Sequence, residues 1–249
     1  LLELDYDTLY KAAAQLNVYA LTTYFPRCTF CPVVDGKYVL DHPTLADYSK
    51  FGKEILIGTN RYEGNFLMKS MNMTKEQSMS LARNAFHRLP EEKISELVST
   101  YPLPGKQAIA DVLTDVMYTF PKHRLAERAS EFAPVYVYRY DYATPVMEMM
   151  GFKACHVAEM LPLWNITAEP YKALRSMGEK KLQGIGLRMR RYWGAFARTG
   201  APDVPGQEKW KAYDAKERCT MVIDVKDQAS SYPERQRMER FDGLDRIVV

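Results

Sequence analysis

Cysteine is scarce in this chain, with four among 249 residues, a thin set for a secreted protein held together by disulfide bonds. We therefore expect an intracellular, cytoplasmic protein. Cys28 and Cys31 have the C-x-x-C spacing of a redox pair or of half a zinc site. Because no second such pair follows and Pro32 comes directly after Cys31, we expect two ordinary packed thiols.

Long apolar runs and a strong charge of one sign are also missing. No stretch reaches the roughly 18 apolar residues of a membrane span, and the opening LLELDYDTLY lacks the pattern of a signal peptide. The net charge of +3, from 34 basic and 31 acidic residues, does not by itself point to a nucleic acid or a membrane. We therefore expect a soluble chain. Since it opens without methionine on helically spaced leucines, we also expect that residues before Leu1 were lost or removed.

Internal repeats and low-complexity linkers are absent too, so one domain or part of one accounts for the sequence. Short β-rich runs and amphipathic stretches alternate along the chain. The predicted strands are residues 53–57, 134–142 and 221–225, the last at a sheet edge, and the predicted helices are residues 74–100, 108–132 and 179–199. This alternation indicates an α/β fold with a mostly parallel sheet and flanking helices.

Particular residues mark the boundaries of these helices. Thr74 and Gln77 have the spacing of a capping box, Pro121 predicts a bend, and Gly200 ends the last helix. Residues 143–154 are expected to form a long loop.

Two loops follow predicted strands at their carboxyl ends, where α/β proteins place active-site groups. The first carries Glu63 between two glycines, and the second carries His156, at a spacing of 156 − 63 = 93 residues. An acid followed by a histidine is the order found in α/β-hydrolases, where the histidine takes a proton from serine and the carboxylate fixes its tautomer. A solvated turn glutamate and a structural histidine would give the same pattern, so both interpretations stay open at this point.

The other histidines have ordinary surroundings. His42 precedes a proline in a turn, and His87 and His123 lie in charged helical stretches, where we expect solvated side chains.

Several ordered segments resemble the C-terminal half of the type-B carboxylesterases, the family that includes cholinesterases and bacterial para-nitrobenzyl esterases. The segments that carry the resemblance are FCPVVDGKYVLDHP, ILIGTNRYEGNFL, TDVMYTFPKHRLAE, VYVYRYDY, CHVAEMLPLW and YWGAFARTGAPDVPGQEKWKAYD. The resemblance implies that residues 1–249 are the C-terminal part of one α/β-hydrolase domain. It also implies that Glu63 is the acid and His156 the base of a catalytic triad.

Two positions depart from the family pattern next to these residues. Tyr62 stands where the family usually has aspartate, and Val157 stands where it usually has glycine. Neither change removes a proton-transfer group, but both can reshape the histidine pocket. Glu159 resembles a carboxylate that the family keeps, and we expect it to support His156 from behind, although a loop salt bridge explains it equally well.

A convincing nucleophile is missing from the sequence. Ser49 is the only serine before Glu63, and it lacks the G-x-S-x-G turn that exposes the oxygen in this fold. Ser176 follows His156 and lies in a helical stretch. No glycine-rich segment supplies an oxyanion hole. By the resemblance, both features lie before Leu1, in a missing N-terminal half, so we expect this chain to be inactive alone.

The resemblance implies a serine esterase that acts on a small ester through an acyl-enzyme, without metal or organic cofactor. Tyr118, Phe120 and Trp164 could line its apolar pocket, although core packing is the simpler role for each. A non-catalytic adhesion module of the same family is the alternative. A sheet cut next to its central strands would also expose an unpaired edge, which favours association of copies.

A nucleic-acid partner is a further alternative, because the last predicted helix is rich in basic residues. Its lysines and arginines are Lys180, Lys181, Arg188, Arg190, Arg191 and Arg198. The continuous apolar face of this helix favours a solvated basic face instead, so we expect neither a nucleic-acid nor a membrane partner.

Overall fold

A computed structural model describes residues 3–23, 31–70, 74–169 and 171–244. The strands are β1 (Ile55–Asn60), β2 (Val135–Tyr140), β3 (Cys219–Ile223) and β4 (Gln228–Ser231). The helices are α1 (Tyr6–Thr23), α2 (Gly64–Ser70), α3 (Lys75–Asn84), α4 (Glu91–Ser99), α5 (Lys106–Thr114), α6 (Phe120–Ser130), α7 (Pro145–Met149), α8 (Met160–Leu163), α9 (Tyr171–Arg175), α10 (Glu179–Thr199) and α11 (Arg235–Met238). A π-helical turn, Asp115–Thr119, joins α5 to α6, and a 3-10 turn, Glu239–Phe241, follows α11.

The sheet has the order β1-β2-β3-β4, with the first three strands parallel and β4 antiparallel. The alternation of side chains along β1 and β2 places Ile55, Ile57, Val135 and Val137 in an apolar cluster with α6. Leu56, Tyr136 and Tyr138 point to the opposite face, where they pack with residues of α10. The α/β fold with a mostly parallel sheet is therefore confirmed.

Helix α10 begins and ends where its sequence predicts. Its buried side chains, Leu182, Ile185, Met189 and Tyr192, recur at helical spacing. Gly200 terminates the helix in the left-handed conformation, with φ of 75°. Gly186 lets α10 approach α8 closely, because a Cβ atom there would lie 2.1 Å from the carbonyl oxygen of Pro162.

The other predicted helices are interrupted. The stretch 74–100 contains α3 and α4 with turns between them, because Pro90 begins a new helix. The capping box of Thr74 and Gln77 is present. The stretch 108–132 is interrupted by the π-helical turn just before Pro121.

Two expectations about the chain path are wrong. The loop 143–154 contains α7, whose first turn is capped by Thr144 through a hydrogen bond from the Met147 N–H. Strand β3 is not at the edge, because β4 pairs with it. Among the described residues the sheet edges are β1 and β4.

Helix α1 confirms the helical spacing at the start of the chain but exposes much of its apolar surface. Tyr6 is 76% and Tyr10 63% exposed, and their rings stack 6.0 Å apart. Within the described ranges, no helix combines the length and apolar character needed to cross a membrane.

Cys28 lies outside the described residues. Cys31 is exposed, so the expectation of a packed thiol is wrong there, because residues 31–35 all lie at the surface.

Candidate active site

The turn after β1 holds a buried carboxylate. Glu63 is 4% exposed, and its Oε1 accepts a hydrogen bond of 2.6 Å from the backbone N–H of Asn60, the last residue of β1. The backbone N–H of Tyr62 donates to the carbonyl of Ala154 at 3.0 Å, which ties this turn to the histidine loop. Gly64 then begins α2, and its N–H donates to Thr114 Oγ1 at 2.9 Å.

Gly64 is required at this point by a close contact. A Cβ atom there would lie 2.2 Å from the carbonyl oxygen of Ala110 on α5. The glycine therefore lets α2 approach α5 and fixes the turn that presents Glu63.

The second turn brings His156 to this carboxylate. His156 Nδ1 lies 2.8 Å from Glu63 Oε2, and since a carboxylate only accepts, Nδ1 carries the proton. The hydrogen bond to Glu63 raises the pKa of His156, and partial burial opposes it. The imidazole remains 42% exposed, so its Nε2 is left to exchange a proton with a substrate or nucleophile.

Asn60 links the turn that carries Glu63 to the loop that carries His156. The sequence analysis did not identify this residue. Its side-chain amide donates to the carbonyl of Cys155 at 2.8 Å and, in a short contact, to Glu159. The backbone and side chain of one residue thus hold the acid, the histidine loop and the second carboxylate. Its position three residues before Glu63 was the available signal.

Glu159 is brought to the same site. Burial raises the pKa of Glu159, and the neighbouring negative charge of Glu63 adds to this effect. Among the described residues the side chain of Glu159 accepts a hydrogen bond from Asn60, and no ion pair of Glu159 is found there.

Tyr118 lies against the imidazole, with ring centroids 5.2 Å apart. It belongs to the π-helical turn, whose extra residue changes the direction of the side chains that follow. Phe120 is instead buried in the helical core beside Phe241, and Trp164 is 65% exposed. Of the three aromatic residues that were predicted to line the pocket, Tyr118 lies beside His156, whereas Phe120 and Trp164 lie elsewhere.

An almost entirely apolar cavity of about 50 Å³ adjoins the histidine. It is lined by His156 and by apolar side chains that include Phe66, Phe152, Val157, Leu161 and Leu174. Such a cavity can accept an alkyl or aryl group directly beside the base.

The candidate nucleophiles of this chain do not meet His156. Ser49 is exposed in the segment before β1, and the Ser176 hydroxyl donates to the carbonyl of Ala173 at 2.8 Å. Cys155 is adjacent to the base in sequence, but burial raises the pKa of its thiol to about 12. A neutral thiol is a poor nucleophile, so Cys155 is not activated here.

The remaining histidines divide between surface and core. His87 is exposed as expected, and His42 bonds to Thr44 within its turn. The expectation for His123 is wrong, because it is 3% exposed and its Nε2 lies 3.3 Å from Glu234. The burial of His123 lowers its pKa to about 4, so it is neutral near pH 7.

The basic face of α10 is only partly solvated. Arg188 pairs with Asp227 at 2.7 Å, and Arg190 donates to the carbonyl of Pro162 at 2.8 Å. Two of its cations therefore have structural roles inside the chain. The described residues contain no cluster of three or more His, Cys, Asp or Glu side chains suited to a metal ion.

Comparison with known proteins shows to which family the chain belongs. The profile of the carboxylesterase family matches residues 1–241. The chain belongs to this family.

Relatives of known function agree with this assignment. The chain is 25% identical over 239 residues to the para-nitrobenzyl esterase of Bacillus subtilis (strain 168), covering 94% of this chain and 47% of that protein. It is 27% identical over 211 residues to carboxylesterase 5A of Canis lupus familiaris, covering 76% of this chain and 36% of that protein. The chain therefore spans at most about half the length of these carboxylesterases.

A solved structure shows the same fold. A thermophilic PNB esterase superposes with a TM-score of 0.78 at 23% identity, covering 95% of this chain and 48% of the esterase. The chain thus has the α/β-hydrolase fold of this esterase over nearly its whole length.

Proposed function

We propose that this chain supplies the acid, Glu63, and the base, His156, of a serine esterase, and that the nucleophilic serine lies in a part of the protein outside these 249 residues. The observation that carries the proposal is the 2.8 Å hydrogen bond between His156 Nδ1 and a buried carboxylate. It leaves Nε2 of the partly exposed imidazole as the proton acceptor, as a serine triad requires.

The reaction is acyl transfer. Serine Oγ attacks the ester carbonyl while its proton moves to His156 Nε2, and the tetrahedral adduct expels the alkoxide, which takes that proton. The products of this first half of the reaction are an acyl-enzyme and an alcohol. Water then attacks the acyl-enzyme in the same way, with His156 as base, and releases the acid and the free serine.

Glu63, Asn60 and Glu159 orient and stabilise the base His156. The negative charge of Glu63 stabilises the imidazolium that forms during each proton transfer. Asn60 holds the Glu63 turn and the His156 loop at a fixed separation, and Glu159 supports Asn60 from the other side. We assign positioning roles to Asn60 and Glu159, since neither lines the apolar cavity.

The apolar part of the ester occupies the cavity beside His156. Its walls include Phe66 and Phe152, whose rings lie 6.4 Å apart. Tyr118 covers another side of the imidazole and limits the directions in which its ring can turn. Because the cavity offers almost no polar partner, the substrate class is an uncharged ester of an apolar acid or alcohol.

Intact mass after treatment with an activated fluorophosphonate tests the proposal. The complete protein should gain a single adduct, whereas the 249-residue chain should gain none. The adduct on the complete protein should form far more slowly in the variant Glu63→Gln than in the matched surface variant Glu96→Gln, since Glu96 is exposed and pairs with Lys93. A complete protein that takes no adduct and hydrolyses no ester would favour the adhesion module instead. An adduct on this chain, mapped to Ser49 or Ser176, would show that the assignment of the nucleophile is wrong.

A further inference from the structure

Val157, the residue after the proposed base, has an unusual backbone conformation. Its φ is 61°, in the left-handed region that β-branched residues rarely occupy. Two backbone hydrogen bonds hold this turn, from the Ala158 N–H to the Cys155 carbonyl at 3.0 Å and from the Met160 N–H to the Val157 carbonyl at 3.1 Å. Residues held in such conformations concentrate at functional sites, where the surrounding structure maintains the strain.

The side chain of Val157 lies at the site rather than in the core. It is 42% exposed and lines the apolar cavity together with His156. Packing in the core therefore does not explain why a branched side chain is held on a strained backbone. The part of the cavity that these residues enclose is small, about 50 Å³.

We propose that Val157 is a specificity-determining residue that limits the apolar group of the ester to a short one. The inference rests on the proposed esterase function and adds the substrate size to it. The isopropyl group occupies space directly beside the base, where a smaller residue would extend the cavity. The group that enters is either the acyl chain or the alkoxy chain of the ester, and the chemistry of the cavity suits both.

The test uses the complete protein with Val157→Ala, Val157→Gly and the control Val157→Thr, which keeps the branched shape. Two substrate series separate the sources of the apolar group, namely 4-nitrophenyl esters from acetate to octanoate and alkyl acetates from methyl to octyl. In one of these series, the ratio of kcat/KM for long over short chains should rise about tenfold or more in Val157→Gly and less in Val157→Ala. Val157→Thr should keep the profile of the natural protein.

The outcomes distinguish this inference from the proposed function. Activity on short esters with an unchanged chain-length profile in both series would overturn the role of Val157 and leave the esterase intact. Absence of hydrolysis with every ester would instead overturn the esterase.

A second measurement reports on the backbone alone. Val157→Gly should melt above Val157→Ala, by about 2 °C, because both lose the isopropyl group and only glycine, which has no Cβ, relieves the left-handed strain. The reverse order would refute the strained conformation from which the inference starts.

Discussion

The substitution Glu63→Gln tests the proposed triad most directly, because the structure dictates how the new amide must orient. Oε1 of residue 63 accepts from the backbone N–H of Asn60 at 2.6 Å, and a backbone N–H can only donate. The oxygen of the glutamine amide must therefore keep that position. Its NH2 group then faces His156 Nδ1, which lies 2.8 Å from the other carboxylate oxygen in the natural protein.

This orientation inverts the tautomer of the imidazole. Since the amide NH2 can only donate, His156 must accept at Nδ1 and carry its proton on Nε2. A protonated Nε2 cannot take a proton from serine, and in a serine triad this change lowers kcat by about 10⁴-fold. The size of the expected loss therefore follows from the tautomer and not from a change of shape.

The same substitution should remove a pH-dependent part of the stability. The hydrogen bond to Glu63 raises the pKa of His156 above its ordinary value of 6.5, so the stabilisation is fully present below about pH 6.5. It is lost as the pH rises through the folded-state pKa of His156. In Glu63→Gln, which has no carboxylate, this component of the free energy of unfolding should be absent.

Nitrogen-15 NMR of the imidazole checks the tautomer, and kcat measured in the complete protein checks the rate. The signal of His156 is assigned by its loss when this histidine is substituted. Glu96→Gln is the control, because Glu96 is exposed and should change neither tautomer nor rate. If Nδ1 stays protonated in Glu63→Gln, the reasoning about the amide is wrong. If the tautomer inverts and kcat stays within tenfold, His156 is not the base.

Three further predictions concern residues that support the fold around the site. Glu234→Gln should lower the free energy of unfolding by about 3–5 kcal/mol in urea titrations, because Lys122, at 3.1 Å, would stay buried without its carboxylate. A loss below about 1 kcal/mol would contradict this. Burial by itself raises the pKa of Glu234, but the neighbouring cations outweigh it and hold that pKa well below 4.5. Its stabilisation should therefore persist above pH 4.5 and fade as the pH falls in thermal melts. Gly64→Ala should cost about 1–3 kcal/mol, because its Cβ would meet the Ala110 carbonyl at 2.2 Å. Gly105→Ala, whose Cβ meets an atom no nearer than 3.5 Å, should cost less than about 1 kcal/mol, and equal losses in the two variants would refute the close contact.

Much of the fold could be predicted from local patterns. The apolar face of α10 and its terminator Gly200 follow from helical periodicity and from the one residue type that enters the left-handed conformation freely. The capping box at Thr74 depends on residues three apart, so sequence contains all of it. Pro121 also marked the point near which a long helix is interrupted, whereas the break at Pro90 within 74–100 was not predicted.

Other features depended on contacts that sequence spacing does not reveal. His123 has charged neighbours along its helix, yet it is buried because Glu234, distant in sequence, reaches it. Strand β3 is interior because a short polar strand, β4, pairs with it, and polar strands have weak sequence signals. The role of Asn60 was equally hidden, since its partners lie on the histidine loop.

The sequence by itself determined the three parallel strands and helix α10, the order of acid before histidine and the residue types at the candidate site. Periodicity and capping act over a few residues, so they are encoded locally. Only the tertiary structure decided that Glu63 and His156 meet. The parallel pairing that sets Asn60 beside Tyr140 brings the carboxyl ends of β1 and β2 to one edge of the sheet. The turns that follow these strands place His156 Nδ1 2.8 Å from Glu63 Oε2, although the two residues are 93 positions apart in sequence. That distance depends on the register of strands and on the close approach of α2 to α5, both of which are set by packing across the whole fold.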